Sequence, residues 1–174
     1  MTTELMNELK DPRDAYVTIT YEYIPNRPSN FSTVTSVWLD VGECNGSEVP
    51  VPEDRTSFEL QMAPWRSTLK GRILMILSHL HDGGVHLDVI KDDEPICRST
   101  ATYGNPADCE RKTRGMDMSH ISYISGCYDV GRTYEGEDWT VNAHYDLAAH
   151  EPMLDKDGKP DGVMGIAVVY VIAD

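Results

Sequence analysis

The chain has 174 residues, a length typical of one domain, and its 29 acidic residues against 15 basic ones give a formal net charge of −14. Nucleic acids and anionic membranes are bound by clustered Lys and Arg, so this charge argues against both as partners. No apolar run approaches the roughly 18 residues of a membrane span. We expect a polar N-terminal segment, residues 1–15, followed by a single domain, residues 16–174.

β-Branched and aromatic residues, which favour strands, alternate along most of the chain. Helical periodicity is confined to Thr3–Lys10. Strands are predicted, in chain order, at Tyr16–Tyr23, Ser36–Val41, Ser57–Met62, Gly71–His81, Val85–Lys91, Ser99–Tyr103, Ser119–Ser125, Trp139–Asp146 and Val163–Ile172. Pro, Gly and Asp clusters separate these segments, as loops require. The predicted fold class is all-β, an antiparallel two-sheet β-sandwich of the jelly-roll or Greek-key type.

The last two predicted strands differ in their patterns. Trp139–Asp146 alternates, which places Trp139 and Tyr145 inward and His144 outward as a surface residue. Val163–Ile172 is apolar on both faces and is therefore expected at the centre of a sheet.

The strand Gly71–His81 ends in two histidines, His79 and His81, that are separated by one residue. Residues i and i+2 of a strand project from the same face, so both imidazoles would point toward one locus, as two nitrogen ligands of a metal do. The alternative is a pair of polar side chains at the tip of a hairpin. Because two ligands rarely hold a catalytic metal, a third is expected from another strand.

Asp82, Gly83 and Gly84 follow the pair and are typical of a tight hairpin. If all three form the loop, His86 points away from the pair; if only the glycines turn, His86 faces His81. The second register gives a spacing similar to the cupin metal motif, with His86 where cupins usually place glutamate. The candidates for a third ligand are His86, His120, His144, His150, Met153, Met164 and the carboxylate of Asp82.

The four cysteines form an even set without a CxxC pair, which predicts disulfides rather than a zinc site. They are Cys44, Cys97, Cys109 and Cys127. Asn30 and Asn45 each begin a glycosylation sequon. These features favour a secreted glycoprotein whose leader is absent from this sequence. The alternative is a cytoplasmic protein in which Cys109, in a polar loop, is the free thiol.

Short motifs follow one another from His79 to the C-terminus. They are HLHDGG (79–84), IC (96–97), ATYG (101–104), SGCY (125–128), GEDW (136–139) and DGVMG (161–165). This order resembles the stress-upregulated nodulin family of plants and its fungal relatives. From Gly71 onward it is also similar to the C-terminal domain of the copper type II, ascorbate-dependent monooxygenases, which include peptidylglycine α-hydroxylating and dopamine β-monooxygenase.

The monooxygenase resemblance implies a copper cofactor held by His79, His81 and Met164. The reserve ligands are His120, His150 and His86, and Asp82 is expected to orient a histidine as a hydrogen-bond acceptor. Two imidazoles and a thioether suit Cu(I) and leave a coordination position open. The alternative role of Met164 is to fill a gap in the core. The motifs also contain Cys97 and Cys127, which implies that both take part in disulfides; their mutual pairing is one of the pairings that four cysteines allow.

The sequence thus favours a single-domain copper-binding protein that acts in oxidative chemistry on a small molecule or a peptide. The enzyme class that would suit it is a copper-dependent oxidoreductase similar to the monooxygenases. An external electron donor is expected, because the monooxygenases hold their second copper in a separate domain and no histidine precedes residue 71 here. Two other functions stay open. One is a non-catalytic secreted copper-binding module; the other is a metal-free protein that binds, cyclises or isomerises a small molecule in a pocket between the sheets.

Overall fold

The computed structural model describes residues 11–12, 14–43, 46–104 and 120–174. The chain divides into two compact units, residues 1–31 and residues 32–174. In the first unit the described residues form no helix or strand and are nearly all exposed. The strand predicted at Tyr16–Tyr23 is therefore wrong: a strand needs backbone partners, and no described residue pairs with this segment. The boundary between residues 1–15 and 16–174 stays a prediction, and Thr3–Lys10 lies outside the described residues.

The second unit consists of two antiparallel sheets packed together, which confirms the all-β sandwich. The first sheet has four strands in the order β1 (Val34–Asp40), β10 (Gly165–Ala173), β4 (Gly71–Leu80) and β8 (Cys127–Thr133). The second has the order β2 (Ser57–Gln61), β9 (Asp138–Asp146), β5 (Gly84–Lys91), β6 (Glu94–Tyr103) and β7 (Ile121–Ile124), with the short β3 (Trp65–Arg66) also paired to β9. Within the described ranges there is no helix that could span a membrane.

Two of the predicted patterns are confirmed. Along β9, Trp139, Val141, Ala143 and Tyr145 are buried and alternate with more exposed residues, so one face of this strand enters the core. Strand β10 lies between β1 and β4, as its two apolar faces predict. A cavity between Val37 and Trp65 has about 10 Å³, room for about one water molecule. This part of the core therefore has no room for an organic ligand.

The segment Asp82–Gly84 connects the two sheets instead of forming a hairpin. β4 pairs with β10 and β8, whereas β5 pairs with β9 and β6, so β4 and β5 are not neighbours. Both predicted hairpin registers are wrong for this reason, and His86 lies in the other sheet from His79 and His81. Gly83 has a φ of 89°, and a Cβ there would lie 2.3 Å from the Leu147 side chain. The glycines thus allow the chain to cross closely from one sheet to the other. Such a crossing has the same sequence signature as a turn.

Strand β8 was not predicted, because its residues look like a turn. Asp129 has a φ of 51° and Gly131 a φ of 115°, and the register with β4 shifts between Ile73 and Met75. Positive φ values at Asp and Gly are typical of turns, and they also occur at β-bulges. β8 is thus an irregular strand at the edge of its sheet.

A disulfide between Cys97 and Cys127 joins β6 of one sheet to β8 of the other. The two Cα atoms are 5.9 Å apart, and the bond closes a loop across a sequence separation of 30. The disulfide predicted from the even cysteine count is confirmed for this pair. Cys44 and Cys109 lie outside the described residues.

We expect the double variant Cys97→Ser/Cys127→Ser to lose about 3 kcal/mol of unfolding free energy, because the crosslink restricts the unfolded chain. Urea denaturation followed by circular dichroism measures this loss. Equal midpoints for the variant and the oxidised wild type would contradict the expectation.

Candidate metal centre

His79 and His81 lie together at the end of β4, on its outward face. Leu80 between them is buried in the core, so the two histidines point away from it. Their ring centroids are 5.3 Å apart and the rings are perpendicular. The strand geometry therefore brings the two imidazoles close to one locus, as two ligands of one ion require.

A hydrogen bond fixes the tautomer of His81. Its Nδ1 lies 2.7 Å from the carbonyl oxygen of Gly162. A carbonyl oxygen only accepts hydrogen bonds, so Nδ1 carries the proton and the lone pair of the neutral ring is on Nε2. Backbone carbonyls hold ligating histidines in this way in metal sites. The DGVMG segment thus fixes the orientation of the His81 ring through the Gly162 carbonyl.

Met164 is the residue immediately before β10, and His81 is the residue immediately after β4. Gly165 of β10 pairs with Leu80 of β4, and this is the last pair of the register. Met164 and His81 are therefore the residues just beyond the paired ends of the two strands. A Cβ on Gly165 would lie 2.5 Å from the Cβ of Ala143. The glycine therefore permits the close approach of β10 to the opposite sheet at this point.

The hydroxyl group of Tyr145 connects the two strand ends. It donates a hydrogen bond to the Met164 carbonyl oxygen and accepts one from the His81 amide at 3.2 Å. The side chain is 1% exposed and stacks on Phe58 with ring centroids 5.2 Å apart. Burial raises the pKa of Tyr145, so the group stays a neutral hydroxyl, which can donate one hydrogen bond and accept the other.

Asp82 holds His120, one of the reserve ligands. Its buried carboxylate accepts a hydrogen bond from Nδ1 of the His120 ring and a second, at 2.8 Å, from the Ile121 amide. The ring of His150 stacks on Tyr103 with centroids 3.6 Å apart. His120 and His150 thus each contact a defined partner, and the contact of Asp82 with His120 agrees with the expected orienting role.

A second group of polar side chains lies on the outward face of the other sheet. His86 of β5 pairs with His144 of β9, and their rings stack with centroids 4.1 Å apart. Asp88 Oδ2 lies 3.7 Å from Nε2 of His86 and 3.6 Å from Nε2 of His144. Ligand atoms of the three residues all lie within 4.8 Å of one another, so this group could hold a metal ion.

Charged neighbours surround this second group. Arg98 donates two hydrogen bonds of 2.7 Å to Asp88 and lowers the pKa of its carboxyl group. Burial, followed by the charges of His144 and Arg98, lowers the pKa of His86, so its ring is neutral near pH 7. Glu59 Oε2 lies 3.5 Å from Nδ1 of His144.

This second group does not follow from the sequence prediction above. The outward position predicted for His144 is correct, but its side chain is only 28% exposed because the His86 ring covers it. Asp88 was not considered at all. The pattern His86-x-Asp88 has the same i, i+2 spacing as the His79–His81 pair, and this spacing is the signal that could have identified it.

The remaining predicted site residues concern glycosylation. Asn30 is exposed, as an acceptor must be, and its glycosylation stays a prediction. Asn45 lies outside the described residues.

The fold and these two groups define a class of protein: a β-sandwich with two histidine pairs, one of which, together with Asp88, could hold a metal ion. Two curated proteins are similar to the chain over 173 residues. The "Probable copper-dependent oxygenase clz3" of Cochliobolus lunatus is 28% identical, and the match covers 99% of this chain and 53% of that protein. The "Probable copper-dependent oxygenase M1" of Phoma sp. is 27% identical, with 99% and 43% covered.

The chain therefore spans about half the length of the curated relatives it matches. No family model matches it, so the resemblance to the stress-upregulated nodulin family stays a prediction. No solved structure matches it either.

We expect Tyr145→Phe to lower the unfolding free energy by about 1–3 kcal/mol, because the His81 amide and the Met164 carbonyl lose a buried partner while the stack on Phe58 remains. Urea denaturation measures this change.

Tyr170→Phe is the matched control, since Tyr170 points outward from β10 and stays partly exposed. If both variants behaved like the wild type, Tyr145 would not position the histidine and methionine strand ends.

Proposed function

We propose that the protein is a copper-dependent oxidoreductase that binds one copper ion through His79, His81 and Met164. The observation that carries this proposal is the Tyr145 hydroxyl, which bonds the backbones of both His81 and Met164 and so supports their meeting at one end of β4 and β10. The relatives named copper-dependent oxygenases support the same chemistry.

The donor set fits copper better than other common ions. Two neutral imidazoles and a thioether form a soft set, which favours Cu(I) over harder ions. The Gly162 carbonyl, by fixing the proton on Nδ1 of His81, presents Nε2 as a ligand. When bound, copper supplies one-electron and dioxygen chemistry, and the electrons come from an external donor.

The substrate proposed is a small molecule with an apolar part, and a peptide is the second candidate. The outward face of the first sheet carries Trp38 and Leu77, which are 63% and 36% exposed. Both pair with Val168 of β10. Val168 lies two residues along β10 from Ile166, which is the partner of His79. An apolar surface thus adjoins the proposed copper ligands and would orient such a substrate beside them.

We also propose that the protein acts outside the reducing cytoplasm. The Cys97–Cys127 disulfide favours an oxidising compartment. The exposed sequon at Asn30 supports the same location.

Cu(I) titration against a chromophoric competitor, in the presence of ascorbate, tests the copper centre. We expect His79→Ala and His81→Ala each to weaken Cu(I) binding at least tenfold, because each removes a strong ligand, and Met164→Ala to weaken it less. X-ray absorption should show copper–sulfur scattering that disappears in Met164→Ala.

Met153→Ala is the matched control, a partly buried methionine in the loop before β10. Binding that is equally insensitive to all four substitutions would overturn the proposed centre. Cu(I) binding without any dioxygen consumption, with ascorbate and a range of apolar compounds, would instead favour a non-catalytic copper-binding module.

A further inference from the structure

We propose that the protein has a second, separate metal site on the outward face of the six-stranded sheet, formed by His86, Asp88 and His144. The ion it takes is a divalent transition metal of borderline softness, Zn²⁺ or Cu²⁺. This site uses no ligand of the proposed copper centre, and it would exist whether or not that centre binds copper.

The register between two strands, β5 and β9, builds the site. His144 of β9 and His86 of β5 are directly paired, and Asp88 lies two residues further along β5 on the same face. Directly paired and diagonal residues on one face of a sheet are near enough to share a ligand. The site therefore rests on regular backbone, where side-chain positions are well defined.

The distances are close to those of a bound ion. Ligands at about 2.1 Å from a tetrahedral zinc ion lie about 3.4 Å from one another. Asp88 Oδ2 is 3.7 Å and 3.6 Å from the two Nε2 atoms. All ligand atoms of the group lie within 4.8 Å of one another, so side-chain rotation would have to bring them closer for all three to bind one ion.

Two atoms of this face have unmet bonding capacity. Nε2 of His86 is buried and makes no hydrogen bond to any described residue, and the same holds for Oδ1 of Asn142, which pairs with Asp88 in the register. A buried polar atom without a partner is costly. Coordination would give Nε2 of His86 a strong partner.

Arg98 and Glu59 complete the surroundings. Arg98 bonds both oxygens of Asp88, but each carboxylate oxygen has a second lone pair, so Oδ2 can still ligate an ion. Ligating carboxylates are commonly held by such hydrogen bonds. Glu59 Oε2 lies 3.5 Å from Nδ1 of His144, so a second negative charge adjoins the group.

The site also has an approach from solvent. An open pocket of about 430 Å³ is lined by Glu59, Val85, His86 and His144, among others. This pocket would leave room for a water molecule or a small ligand at the fourth coordination position of the ion. A free fourth position is typical of open metal sites, whereas structural zinc sites are closed.

The test uses the double variant His79→Ala/His81→Ala, which removes the proposed copper centre. Calorimetric titration with Zn²⁺ should give one ion per chain. In this background His86→Gln, His144→Gln and Asp88→Asn should each weaken Zn²⁺ binding at least tenfold. With one equivalent of Cu²⁺, electron paramagnetic resonance should show hyperfine coupling to two imidazole nitrogens.

Asp129→Asn is the matched control for Asp88→Asn, because Asp129 also accepts a hydrogen bond from an arginine, Arg72, but lies on β8 of the other sheet, and it should change Zn²⁺ binding less than twofold. The proposal fails if the folded double variant binds no Zn²⁺ at micromolar concentration, or if binding survives both His86→Gln and His144→Gln. Either failure is distinct from failure of the copper centre, which is tested with His79 and His81 intact.

Discussion

The hydrogen bonds of the Tyr145 hydroxyl are the interaction on which the proposed copper centre depends. Tyr145 belongs to β9 of the six-stranded sheet, yet its hydroxyl bonds two backbone groups at the end of the four-stranded sheet. An unpaired hydroxyl at this depth would cost free energy, so the core tolerates the group only while both strand ends stay in place. The packing of the two sheets and the position of the proposed ligands are therefore coupled through one side chain.

Much of the fold could be predicted because the core strands repeat simple patterns. The alternation of β9 and the two apolar faces of β10 follow from which sides are buried. Tyr16–Tyr23 has an equally regular pattern and forms no strand. A strand also needs a neighbour that supplies hydrogen bonds, and an alternating pattern says nothing about whether one is present.

The connection at Asp82–Gly84 shows why the candidate site was harder to predict than the fold. A tight hairpin and a crossing between sheets both need positive φ and close backbone approach, and Gly83 supplies both. Only the partners of β4 and β5 distinguish them, and those partners are far away in sequence. The pairing of His86 with His144 could not be predicted for the same reason, because it depends on the register between β5 and β9, which are far apart in sequence.

The two histidine groups lie on the outward faces of different sheets, and their donor atoms differ in kind. Nitrogen and thioether sulfur at the end of β4 favour Cu(I), whereas nitrogen and carboxylate oxygen on β5 and β9 favour divalent ions. Asp88 contributes a negative charge that stabilises the higher charge of a divalent ion, and Arg98 offsets part of it. In these proposals the two groups prefer ions of different charge because their ligand atoms differ, and imidazole, which both groups contain, binds either ion.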